Sequence, residues 1–314
     1  MARKKKGSRG RKGSPLAKMV VTVLLLLAAA FVYLTDRGRD FSREGIEGRF
    51  DRAYVEAQAW MDRAREAAGD AGQTFQASEQ GELVYGGLPW PRDGLTLLPR
   101  EGFVVAYDEV RENPAWVAYK LEGRPVYDSG DRPSRFAEDD STRARVEHDD
   151  YTGSGYDRGH MAPNYAIAVY YGPAAQEQTF LMSNIVPQDP DLNQGPWREL
   201  EETIANTYTE RFDAVYVVVG PIYDAEREIL PNRNPADRNR IEIPDAFFQI
   251  VVGTRDDQMR VMSVVMPQEI SRHADWRNYT QSVDEVERLT GYDFMRDLPD
   301  DVEDAVERAR GRAF

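Results

Sequence analysis

Apolar residues fall into three kinds of run along this chain, and each kind predicts a different element. The first is a block, Met19–Leu34 (MVVTVLLLLAAAFVYL), sixteen residues without a charge. A bilayer core takes about 20 apolar residues as a helix, with about 17 near the lower limit. The block therefore predicts a transmembrane segment over 19–35. The second kind recurs at steps of three and four. Ile46, Phe50, Tyr54, Ala57, Met61, Ala64 and Ala68 mark one face of a helix that Gly69 and Gly72 end. They predict a helical stalk or linker over 36–80, packed on the domain or paired with a second copy as a homodimer. The third kind is short, β-branched and aromatic, and bounded by Gly, Pro and Asn. Phe103–Tyr107, Trp116–Leu121, Thr179–Val186, Ala214–Val219, Ala246–Val252 and Arg260–Met266 predict strands on that ground.

A compact domain thus starts near Gly81, entered through the turn-rich LVYGGLPWP (Leu83–Pro91). Arg124–Tyr151 is polar, charged and broken by Pro125 and Pro133, so it predicts an irregular loop carrying Arg132, Arg135, Arg143 and Arg145. Pro196 suits the first turn of a helix, and Trp197, Leu200, Ile204 and Tyr208 give that helix an apolar stripe. Short helices follow at Val283–Leu289 and Val302–Arg310, the second within a C-terminal helical tail over 298–314. Many strands joined by turns, with few helices, predict an α+β domain over 81–297, a central mostly antiparallel sheet flanked by helices.

Charge sharpens the organisation. Residues 1–18 carry eight basic side chains and no acid, and predict a disordered tail. Those cations before the apolar block, with Asp36-Arg37 after it, predict a signal anchor. Its N-terminus is cytoplasmic, and the domain is extracytoplasmic at the cell membrane. Ala28-Ala29-Ala30 supports the rival reading, a cleaved signal and a secreted or periplasmic product. The whole chain is −14, so the 296 residues after the tail carry −22. An acidic body excludes general adhesion to polyphosphate, and any nucleic-acid contact falls on a local arginine patch. The absence of cysteine excludes disulfides, thiol nucleophiles and cysteine-held zinc. Three histidines, His148, His160 and His273, are too few for a histidine-rich metal cage.

The chemistry concentrates in two stretches. Tyr156–Pro163 (YDRGHMAP) sets His160 behind Asp157, Arg158 and Gly159 in a segment expected to loop. A neutral imidazole there suits a general base; a turn-capping histidine is the plainer alternative. Asp157 beside Arg158 reads most simply as an ion pair or turn former. Ser183–Glu201 supplies the rest. Asn193 is either a helix cap or a carbonyl donor to a hard cation such as Mg2+, which needs only one or two protein oxygens. Glu201, on the helix, is either a solvated acid or a partner for metal-bound water. Asn184 is either a site residue or a buried amide joining the two stretches.

Together YDRGHMAP and SNIVPQ–LNQG–W-x-x-LE resemble the DNA/RNA non-specific endonucleases, the family of bacterial sugar-nonspecific nucleases and mitochondrial endonuclease G. YGGLP (Tyr85–Pro89), WVAYKL (Trp116–Leu121), GPIY (Gly220–Tyr223) and IEIPDAFFQIVV (Ile241–Val252) extend the resemblance over 81–270. It implies the ββα-metal, or His-Me finger, nuclease fold. It implies His160 as general base, Asn193 as direct Mg2+ ligand (Mn2+ as substitute) and Glu201 as ligand through water. Asn184 matches a site asparagine, Arg158 a phosphate-binding arginine, and Arg135, with Arg132 and Arg143 as rivals, a second one. The products implied are 5′-phosphate and 3′-hydroxyl ends of DNA and RNA. Gln249 and Gln268 depart from the family pattern, which bears on substrate contacts. Two other readings stand beside this one: a membrane-tethered, non-catalytic nucleic-acid-binding scaffold, and a phosphodiesterase for another substrate. The acidic body further predicts salt-tolerant cleavage; no inhibitor partner is legible.

Overall fold

The computed structural model describes residues 83–224, 226–231, 239–256 and 258–314. The basic tail, membrane segment and stalk expected over 1–80 lie outside the described residues. Among the described residues, no helix is long and apolar enough to cross a membrane. The strands are β1 (Leu95–Arg100), β2 (Phe103–Asp108), β3 (Asn113–Glu122), β4 (Asp157–His160), β5 (Ile185–Gln188), β6 (Ala214–Ile222), β7 (Ala246–Arg255), β8 (Gln258–Pro267) and β9 (Thr280–Gln281). β4 and β5 form a separate two-stranded antiparallel sheet; the others make one sheet in the order β1-β2-β3-β6-β7-β8-β9. Every neighbouring pair in that sheet is antiparallel.

Alternation along each strand divides the core in two. Phe103, Val105, Val117, Tyr119, Val217, Phe247, Val251 and Met262 face one way, and Val104, Ala106, Trp116, Ala118, Val218, Phe248, Ile250 and Val252 face the other. Both faces are covered, which is why AVYVVV and AFFQIVV read as unbroken apolar runs. The first face is covered by α1 (Asn164–Tyr171), α2 (Pro173–Thr179) and α3 (190–211), through Ile167, Ala175, Leu192, Trp197 and Leu200. The second is covered by α4 (Val283–Thr290) and α5 (Asp300–Arg308), through Val283, Val286 and Val302. β4 pairs with β5 across α1 and α2, and β5 runs directly into α3 on the first face.

Two expectations change. Thr179–Val186 is strand only at its end, because Met182–Asn184 forms a tight helical turn instead. Asn184 closes that turn by donating to the Thr179 carbonyl at 3.0 Å, a local bond that displaces strand pairing. DRGH is not a loop but β4, with Asp157 opposite Gln188 and His160 opposite Ile185. The segment 298–314 packs on the domain: Val302 is buried, and the Phe314 ring lies 4.9 Å from Tyr208 and 5.0 Å from Phe212. Since both rings sit on the first face, the C-terminus reaches round from α5 on the second. Phe314→Ala should therefore lower the unfolding free energy by about 1–3 kcal/mol, read as a lower urea midpoint at unchanged slope. An unchanged midpoint would mean that the C-terminus adds nothing to the core.

Candidate active site

Because β4 is a strand, its side chains alternate: Arg158 and His160 project to one side, Asp157 and Gly159 to the other. Gly159 is required by close approach, since a Cβ there would lie 2.0 Å from Gln188 Oε1. The His160 ring is half-buried between Phe136, at 5.2 Å, and the edge-on Phe180, at 4.9 Å. Its Nε2 is buried without a protein partner. Burial pulls the imidazole pKa down to about 3, and the Arg132 guanidinium adds to the shift. Arg132 itself sits over Phe180, 5.4 Å from the ring centre. The imidazole is therefore neutral across the physiological range.

Arg158 is held by its neighbours. Its Nε and Nη2 donate to the His148 carbonyl at 3.0 and 2.6 Å, and Nη2 also donates to Thr152 Oγ1 at 3.0 Å. Asp157 does not pair with it. The Asp157 carboxylate accepts instead from Asn193 Nδ2 at 2.9 Å and from Gln194 Nε2 at 2.7 Å. The acid on β4 thus ties down the start of α3. With its nitrogen committed, the Asn193 amide keeps its carbonyl oxygen for another partner. Gln194 Oε1 in turn accepts from Arg272 at 2.9 Å. Gly195 follows because the Arg272 backbone crosses there; a Cβ would lie 2.6 Å from the Arg272 carbonyl oxygen.

Asn184 is fully buried, and its amide is spent on the backbone: Oδ1 accepts from Ala162 at 2.8 Å, while Nδ2 donates to Ala162 and Thr179 at 3.0 Å. That geometry stitches the two motif stretches together and leaves the side chain no hydrogen free for a substrate. Glu201 lies further along α3. Burial raises its carboxyl to about 8, opposed by the Trp197 indole and reinforced by Glu202. It forms no ion pair among the described residues. An amide carbonyl oxygen and a desolvated carboxyl outside any ion pair are the hard oxygen donors that a hydrated divalent cation takes.

The loop arginines separate by surroundings. Arg132 lies beside His160, whereas Arg135 forms an exposed pair with Asp149 at 2.9 Å, on the His148 side. Arg143 is exposed against Glu109. Gln268, whose departure from the family pattern bore on substrate contacts, is instead a buried clamp. It accepts from the Asp189 N–H at 2.8 Å and donates to the Pro187 and Pro244 carbonyls at 2.9 and 3.1 Å. Gln249 is also buried.

Sequence reasoning missed three parts of this region. His148 accepts the Phe136 N–H at 3.3 Å, and its ring lies 5.8 Å from the same Phe136 that flanks His160. Its rarity among only three histidines was the available signal. Phe136 and Phe180 carried none. Buried Asp139 anchors the loop by accepting from Ser183, Arg100 and, at 2.9 Å, the Ser141 N–H. Burial alone would raise its pKa, but those donors outweigh it and leave the carboxyl below the usual range.

The region offers an unpartnered imidazole, two arginines outside ion pairs and, at the helix start, an amide oxygen donor, the kinds of group that phosphodiester hydrolysis uses. Residues 80–301 match the DNA/RNA non-specific endonuclease family, and the chain belongs to it. Membership makes it a nucleic-acid-hydrolysing enzyme of a metal-dependent class and displaces the scaffold reading. Human mitochondrial endonuclease G is 31% identical over 228 residues, 69% of this chain and 74% of that one. A nuclease of Nostoc sp. is 29% identical over 223 residues, 67% of this chain and 77% of its own. A Serratia marcescens nuclease is 32% identical over 169 residues, covering 52% and 60%. Among solved structures, EndoG in its complex with EndoGI superposes with a TM-score of 0.61 at 26% identity, over 70% of this chain and 92% of that one.

Two outcomes follow from the geometry. Asp157→Ala frees the Asn193 amide and should weaken divalent-metal activation of cleavage about 10–100-fold, read as the metal concentration giving half-maximal rate. An unchanged metal requirement would show that the tie is irrelevant. Glu201 is raised in the folded state from 4.5 to about 8. Its contribution to stability is fully present below pH 4.5 and lost as pH rises through 8. With metal chelated, Glu201→Gln should be more stable than wild type at pH 8.5 by about 1–3 kcal/mol, the difference vanishing near pH 4. Equal denaturation midpoints at both pH values would count against a desolvated Glu201.

Proposed function

We propose that this enzyme is a Mg2+-dependent endonuclease that cuts DNA and RNA with little sequence preference, leaving 5′-phosphate and 3′-hydroxyl ends. The observation that carries the reading is the buried, unpartnered Nε2 of His160 beside Arg132 and Arg158. In the proposed reaction that nitrogen takes a proton from water, whose oxygen attacks phosphorus in line as the bond to the 3′-oxygen breaks, and the departing oxygen takes a proton from solvent water to leave as hydroxyl. Arg158, held on the His148 carbonyl and Thr152, and Arg132, over Phe180, offset charge on the non-bridging oxygens. Arg132 is preferred to Arg135 for this role because Arg135 is already paired with Asp149. Asn193 and, through water, Glu201 would hold the Mg2+, with Mn2+ as substitute, which supplies Lewis-acid stabilisation of the phosphate and the departing oxygen. Asn184 acts by positioning the backbone that follows His160. No base-reading element is needed, since contacts to phosphate carry no sequence information.

A pKa near 3 makes His160 a weak base in the free enzyme. Burial is the larger cause of that shift and Arg132 the smaller; a phosphodiester bound against Arg132 offsets the smaller one and so raises the basicity of His160 in part. The basic tract and uncharged run at 1–34 support a nuclease domain on an extracytoplasmic anchor, or a secreted one after cleavage. Cell fractionation with sequencing of the mature N-terminus separates the two.

Plasmid nicking tests the proposal. Wild type should convert supercoiled DNA with Mg2+ and not with EDTA, and His160→Ala should lose about 10²–10⁴-fold in rate. Equal cutting by the two proteins would remove the imidazole from the reaction. At saturating metal, kcat/KM for wild type should show no titration near pH 6.5, since burial and Arg132 lower His160 to about 3. Arg132→Ala should move the acid limb upward. An acid limb at the ordinary histidine pKa in wild type would contradict this account.

A further inference from the structure

We propose a second divalent-cation site, of the calcium class, between α4 and α5, formed by the carboxylates of Asp284, Glu287 and Glu307. One oxygen from each lies within 4.8 Å of the others. Oxygens on opposite sides of a bound Ca2+ sit about 5 Å apart, so one ion can reach all three. Glu307 is only 6% exposed, and its Oε1 is buried without any hydrogen-bond partner. A buried carboxylate left unsatisfied is costly unless something neutralises it. It also stands in the last turn of α5, where the helix dipole favours cations over anions.

The neighbouring charges do not supply that compensation. The groups that act on Glu307 are Glu287, Glu303, Asp284 and Asp293, all acidic. Arginines on the two helices turn to other partners: Arg288 pairs with Glu285 at 2.6 Å, and Arg308 pairs with Asp304. Glu287 spends Oε1 on the Phe294 N–H at 2.8 Å, which orients its carboxylate. Asp284 is exposed and gives the ion a way in. Only carboxylate oxygens are offered, without nitrogen or sulfur. Ca2+ completes an irregular set with water more readily than Mg2+, which demands a near-ideal octahedron.

The site is separate from the nuclease centre. Val283, Val286 and Val302 of the same helices pack on the second face of the sheet, opposite α3 and its Asn193. Glu307 also lies beyond the family match, which ends at residue 301. Occupied, the site latches α5 onto α4 and so holds the C-terminal segment that carries Phe314.

Thermal unfolding of the full chain in CaCl2, from chelator to several millimolar, tests this. Wild type and Asn193→Ala should both gain about 5 °C at saturation, whereas Glu307→Gln and Asp284→Asn should gain little. Cleavage at fixed Mg2+ should be unchanged in the last two. Asp284 is exposed, so Asp284→Asn keeps the test decisive if Glu307→Gln fails to fold. No Ca2+ shift in wild type would overturn the proposal, leaving a protonated Glu307 in place of a site. Equal shifts in wild type, Glu307→Gln and Asp284→Asn, or a shift lost in Asn193→Ala alone, would overturn it too. Those last results leave the proposed nuclease reaction untouched.

Discussion

Asp157 is the joint on which the site depends. It lies on a four-residue strand yet accepts amide hydrogens from Asn193 and Gln194, at the start of a helix more than thirty residues later. Hydrogen bonds to an ionised carboxylate contribute about 1.5–3 kcal/mol each, enough to fix which way the Asn193 amide faces. Without them a carboxamide rotates freely and presents nitrogen as readily as oxygen. Asn184 makes the matching joint on the other side, binding the backbone of Ala162 to that of Thr179. Three amides and one acid thus convert a strand pair and a helix into one rigid frame. The sheet beneath contributes a floor of Val, Phe and Tyr side chains and no chemistry.

The same frame resolves the conflict between an acidic body and an anionic substrate. Among the described residues, most arginines are neutralised locally, as in the pairs of Arg227 with Glu242 at 2.8 Å and Arg277 with Glu199 at 3.1 Å. Arg132 and Arg158 are the exceptions that matter. Neither forms an ion pair among the described residues; one rests on an aromatic face and the other on a backbone carbonyl. Arg132 therefore acts on His160 directly, and Arg158 keeps its guanidinium outside any ion pair on the same side of β4. A body at −22 repels polyphosphate over distances of about a Debye length, roughly 8 Å at physiological salt, and leaves this patch as the favourable landing point.

Legibility in the sequence followed burial. β2, β3, β6, β7 and β8 were legible because both of their faces are covered, giving apolar runs that turns delimit. α1 and α2 were not, since two helices of seven or eight residues wedged into a core show no amphipathic period. β4 hid for the opposite reason: DRGH has no apolar side chain, and its strand conformation comes from pairing with β5. At the site, the two motifs named candidate residues, but the partners those side chains take were not legible. Asp157 looked like an ion-pair member of Arg158, and only the fold brings Asn193 to it. The choice among Arg132, Arg135 and Arg143 was illegible because an irregular loop has no period from which direction can be read.

The two titrating groups of the proposed reaction are displaced in opposite directions by one cause. Burial drives His160 towards weak basicity and Glu201 towards neutrality, so each is held in its uncharged form. Uncharged forms suit the folded chain on its own, because neither group then has to be ionised away from water. They suit catalysis only once charges of the right sign arrive: a cation near Asn193 for Glu201, a phosphate between the arginines for His160. On the proposed reading, then, the free protein holds both groups away from their charged forms, and an arriving cation or phosphate shifts each towards its charged form against the burial that opposes it. A nuclease built this way gains specificity for its substrate class from desolvation, without a side chain that reads a base.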